Sequence, residues 1–83
     1  MDKWLEHVAR ELGVQEAAAT EALLDAAKVV AHTVERRATP VTTYLIGLAA
    51  AKEGAGPAEI EAICSRVVEL ARAWAPEDEI RSE

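Results

Sequence analysis

The stretch TPVTTYLIGLAAA, residues 39–51, decides the fold. It carries no charge from Val41 to Ala51 and is rich in Ala, Leu and Ile, residues that either favour helix or tolerate it when packed. A proline ring cannot continue a helix from before, but it suits the first position of a new one. A helix starting at Pro40, with Thr39 as N-cap, is therefore predicted. A helix apolar on every side is normally enclosed, by other helices of the chain or by a second subunit. This third helix is thus expected at the centre of the fold. Gly47, Ala50 and Ala51 give it a surface of small residues, read as close packing within the chain or, alternatively, as a ligand slot.

Working outward, residues from about Glu16 to Arg36 keep a 3.6-residue apolar period through Ala19, Leu23, Ala26, Ala27, Val30 and Val34, with Glu21, Asp25, Lys28, His32 and Arg36 opposite. On the far side, Gly56 and Pro57 open a fourth helix to about Trp74. Its stripe is Ile60, Ile63, Cys64, Val67, Leu70, Ala71 and Trp74. The first helix runs from about Lys3 to Leu12, capped by Asp2 and closed by a left-handed Gly13, with Trp4, Leu5, Val8, Ala9 and Leu12 apolar. His7 falls off that stripe and is expected in solvent. The links are short, which favours antiparallel neighbours. The expected fold is all-α: a four-helix, up-down antiparallel bundle over residues 1–76, with a buried apolar third helix. In that order Trp4 and Trp74 meet at one end of the core.

Composition agrees with a single folded domain. Hydrophobic residues make up 51% of the 83 positions and Phe is absent, so the core is aliphatic. The formal charge is −6, from nine Lys and Arg against fifteen Asp and Glu. Such a balance repels phosphate backbones, and no nucleic-acid binding is expected. One cysteine cannot staple the fold, and no apolar run approaches 18 residues. The expected setting is cytoplasmic, with no membrane contact.

No constellation points to catalysis. Cys64 lies on an apolar stripe and reads as a structural thiol. His32 and Glu35 stand three apart on one helix, which suits a metal only if other helices add ligands, and no second such pair exists. No metal, cofactor or catalytic residue is expected.

The segment HTVERRATPVTTY, residues 32–44, is different. Arg36 and Arg37 precede a helix N-terminus bearing Thr39, Thr42 and Thr43, with His32 one turn back. Free N–H groups and the positive end of a helix dipole attract anions. Arg36, Arg37, Thr39, Thr42, Thr43 and His32 are thus the candidate contacts for a phosphate, a carboxylate or a protein partner. The alternative is local: Thr39 caps the helix, Thr42 and Thr43 satisfy backbone groups, and the arginines pair with Glu35 or offset the C-terminal end of the second helix.

The same segment carries a resemblance. WLEHVARELG (4–13), LLDAAKVVAHTVERRATPVTTYLIGLAA (23–50) and IEAICSRVVELARAW (60–74) together resemble a small helical domain family of unknown function from high-GC bacteria. Its members stand alone or are fused to, or encoded beside, the molybdenum cofactor guanylyltransferase. The most specific part is Val34-Glu35-Arg36, then Pro40 to Leu45 and Gly47. Arg37 departs from that pattern, where a proline or small residue is expected.

The resemblance implies a non-catalytic accessory module in molybdopterin guanine dinucleotide biosynthesis, with a guanylyltransferase as protein partner. Transferase chemistry would belong to that partner. Two rival readings remain: a structural homodimer in which a second subunit encloses the third helix, and a small enzyme. Residues 77–83 read as an acidic disordered tail, with four acids, one base and Ile80 alone for burial. Deleting them should leave the melting temperature nearly unchanged. A loss above about 1 kcal/mol in a denaturation experiment would show that Ile80 docks.

Overall fold

The computed structural model describes residues 1–14, 19–54 and 56–74. The start expected for the second helix at Glu16 and the tail 77–83 lie outside them. The fold is all-α, as the periodicity required. Four helices follow in order: α1 (Asp2–Leu12), α2 (Thr20–Thr33), α3 (Ala38–Lys52) and α4 (Pro57–Arg72). None of them is long and apolar enough to cross a membrane.

The ends of the helices show the local chemistry at work. Gly13 leaves α1 at φ 69°, the left-handed region that only glycine enters without strain. Its N–H donates to the Arg10 carbonyl and that of Val14 donates to Ala9, at 3.2 and 2.9 Å, the paired closure that satisfies the last carbonyls of a helix. Gly54 makes the corresponding turn after α3 at φ 100°. Pro57 is the first residue of α4, behind Gly56. The links from α2 to α3 and from α3 to α4 are four residues each, a length that favours antiparallel neighbours.

Those three helices pack on one another. Ala26 of α2, Ile46 of α3 and Cys64 of α4 meet at the centre, with Leu23, Ile60, Ile63, Val67 and Val68 packed around them. Most of the buried side chains are small, Ala19, Ala26, Ala50, Cys64 and Ala71 among them. Such side chains let helix axes approach closely. The stripe on α4 is therefore shifted from expectation at its end: Val68 faces the core, while Leu70 stays largely in water.

Two expectations need correction. Trp4 and Trp74 do not share a core position: they are 64% and 42% exposed, and among the described residues α1 packs on none of the other helices. Trp4 instead lies against His7, with ring centroids 6.1 Å apart. Periodicity fixes which residues share a face, but it does not say which surface covers that face. Nor is α3 enclosed on all sides. Ile46 and Ala50 are buried, while Val41, Tyr44, Leu45 and Leu48 face solvent.

Ile46 is 2% exposed and is the largest side chain at the centre. Ile46→Ala should cost about 2–5 kcal/mol, the cost of a cavity where three helices meet. Leu48→Ala should cost well under half as much, because that side chain is already half in water. Chemical denaturation of both variants decides.

Candidate functional site

The α2–α3 corner is built differently from its sequence expectation. α2 ends at Thr33, and the N–H groups of Val34 and Glu35 both donate to the Val30 carbonyl. α3 then begins at Ala38, with Arg37 as N-cap and Pro40 as its third residue. Proline is tolerated there because first-turn N–H groups have no acceptor inside the helix. The Ala38 and Thr39 N–H groups donate to the Glu35 and Arg36 carbonyls at 3.2 and 3.1 Å. Donors that a helix start usually leaves free are therefore spent on the turn.

One of the threonines follows the local reading. Thr43 donates its hydroxyl to the Pro40 carbonyl at 2.8 Å. Thr39 is not the cap: it sits in the second position of α3, with Oγ1 buried and without a partner. Thr42 is half-buried. The corner offers both signs of charge to solvent, since Glu35 is exposed beside the two arginines. Arg36 and Arg37 are exposed, as is His32 on the last turn of α2. Neither arginine pairs with Glu35, since the ion pair among the described residues is Arg66–Glu69 on α4, at 3.1 Å.

Along α3 from this corner runs a stripe that the sequence had assigned to the interior. Val41, Tyr44, Leu45 and Leu48 recur at i, i+3, i+4 and i+7 and are 48–64% exposed. Beside it, between α2 and α3, lies a groove of about 320 Å³ lined by Leu23, Leu24, Ala27, Thr43, Gly47 and Ala50, with Ile46 and Ile60 at its base. A Cβ placed on Gly47 would meet nothing within 4 Å. Gly47 thus faces an open groove, while Ala50 one turn on is buried in the helix contact. The absence of charge from Val41 to Ala51 was the available signal, but it reads the same for a buried helix and for an uncovered one.

A wider groove of about 800 Å³ separates α2 from α4 on another side, with Asp25, Lys28, Glu61 and Arg72 around Cys64. Burial pushes the Cys64 thiol above its ordinary value, and the Glu61 carboxylate adds to the shift. The thiol is held protonated, the opposite of an activated nucleophile. Among the described residues no three His, Cys, Asp or Glu side chains converge as a metal site would require.

A family model described as a domain of unknown function, DUF6457, matches residues 1–79. The chain belongs to the DUF6457 family. Neither a curated protein nor a solved structure matches it. The helical domain family of unknown function expected from the three quoted segments is thereby shown. In this DUF6457 chain the match takes in both the corner and α1.

The Thr39 hydroxyl yields a sharp expectation. A buried hydroxyl without a partner costs about 1–3 kcal/mol relative to an apolar group of the same shape. Thr39→Val should therefore be neutral or stabilising, whereas loss of a capping threonine destabilises by about 1 kcal/mol. Thermal melts of the variant separate the two.

Proposed function

We propose that this DUF6457 domain is a non-catalytic helical binding module that meets a protein partner through the outer face of α3 and the arginine corner at its start. One observation carries the reading: an uncharged, solvent-facing stripe, Val41 to Leu48, ends beside two arginines that pair with no carboxylate among the described residues. Apolar stripes of this size on a small domain mark interaction sites, and arginines at a rim orient an acidic or phosphate-bearing partner. The spent N–H groups of α3 leave recognition of an anion to Arg36 and Arg37.

The resemblance of VERRATPVTTYLIG and its flanking segments supports a finer identity for the partner: the guanylyltransferase of molybdenum cofactor maturation, with this module as accessory. The Cys64 thiol, held neutral by burial, favours binding over nucleophilic chemistry at that residue. A second reading, a homodimer whose subunits cover each other's α3, draws on the same stripe.

The test is binding of the full chain to a guanylyltransferase, to GMP and to phosphate by calorimetry. Arg36→Ala should weaken binding to the transferase roughly tenfold, and Leu45→Asp should abolish it. Neither variant should move the melting temperature much, since both side chains are exposed. Unchanged binding in both, or an effect on stability alone, sinks the reading.

A further inference from the structure

Large side chains stand on the crest of α3 and small ones on its shoulders. At about 3.6 residues per turn, the buried pair Ile46 and Ala50 points away from Val41, Tyr44, Leu45 and Leu48. Those four are 48–64% exposed, and they line none of the three grooves between α2, α3 and α4. From Val41 to Leu48 they form a ridge about 10 Å long, at a rise of about 1.5 Å per residue. Pro40, Gly47 and Ala51 flank it on one side, exposed, and Thr42 and Ala49 on the other, half-buried. No charge interrupts either shoulder from Val41 to Ala51.

Gly47 is a residue that its own fold does not explain. A glycine inside a helix costs stability relative to alanine, and this one has neither a positive φ nor any neighbour that a Cβ would meet within 4 Å. The missing side chain instead lowers the shoulder beside Tyr44 and Leu48, where a second surface can come close.

Resting on the binding-module reading, we infer that α3 is the inserted element of that contact. Its ridge enters an apolar cleft of the partner protein, whose walls close on the Gly47 and Ala49 shoulders and whose end at Arg36 and Arg37 carries Asp or Glu carboxylates. Anchors at i, i+3, i+4 and i+7 are the spacing at which a helix is read by such a cleft. A flat partner gains too little. Even at about 200 Å² each, the size of an aromatic side chain, the four leave on the order of 450 Å² in water at their exposed fractions. A stable interface buries roughly 800 Å² per partner. Walls that also cover the small shoulders enclose each side chain from several directions, and they desolvate no charge of this chain in doing so. The sign at the cleft's end follows from the corner: Arg36 and Arg37 outweigh Glu35 there, and they pair with no carboxylate among the described residues. Acid at that end meets guanidinium donors.

Calorimetric titration of the full chain into the guanylyltransferase tests the shape. Tyr44→Ala and Leu45→Ala should each weaken binding about thirtyfold or more, the loss expected of an anchor seated in a pocket. Gly47→Ala should raise the melting temperature by roughly 2–8 °C, because alanine favours helix, and yet weaken binding about fivefold, with Gly47→Leu weakening it further. Damage to the fold cannot produce those opposite changes. Leu70→Ala, exposed on α4, should leave binding within about twofold of wild type. Arg36→Ala combined with Arg37→Ala should flatten the dependence of affinity on salt.

If Leu45→Asp abolishes binding while the two alanine variants cost under about fivefold each and both Gly47 variants bind as wild type does, the contact is flat. The insertion is then overturned and the binding-module reading stands. An unchanged salt dependence in the arginine variant overturns the acidic end of the cleft. If Leu45→Asp also binds normally, or the wild type binds no transferase, the inference and the reading beneath it fall together.

Discussion

Three helices close on a seam where Ala26, Ile46 and Cys64 meet, and the small size of two of these side chains governs how the rest of the chain can pack. Helices carrying small side chains at their contact pack with axes near the lower end of the usual ~8–10 Å. α2, α3 and α4 therefore satisfy one another with one narrow face each. α3 is apolar all round but is touched from two directions, so half of its circumference stays in water. The uncovered stripe follows from that narrow contact.

Most of the architecture could be read directly. The stripe of Ile60, Ile63, Cys64 and Val67 sets the inner face of α4, and Gly13 and Pro57 mark helix ends because each has a backbone property no other residue supplies. The corner was harder. Pro40 allows several first-turn positions, and the turn carbonyls of Glu35 and Arg36 hold two N–H groups that recruit the helix start back to Ala38. A proline limits where a helix can begin without fixing it. Thr39 then falls inside the first turn, where its hydroxyl has nothing to cap.

Trp4, Trp74, Leu70 and the outer residues of α3 show a different limit. Each lies on a correct apolar stripe, yet each remains substantially exposed. Helical periodicity reports how a side chain is oriented about its own axis. Whether another surface arrives there depends on how many helices fit around the seam, which is a property of the packed set. Sequence shows the arginine corner directly, whereas it offers the groove only as the alternative reading of Gly47, Ala50 and Ala51. Charge is visible residue by residue, whereas a groove exists only once two helices stand side by side.

The combination of an acidic chain, a neutral stripe and a local pair of arginines has a physical logic. Overall charge of one sign opposes indiscriminate clustering of exposed apolar surface, since each approach of like molecules must overcome repulsion screened only beyond about 10 Å. A partner that presents apolar side chains together with a carboxylate or phosphate at the right end gains from both features at once. A partner with either feature alone gains little: the arginines are solvated, and an exposed ion pair contributes at most about 1 kcal/mol. The stripe alone must overcome the chain's charge. On the proposed binding reading, specificity would come from the distance between the α2–α3 corner and the middle of α3, which the first turns of that helix hold fixed.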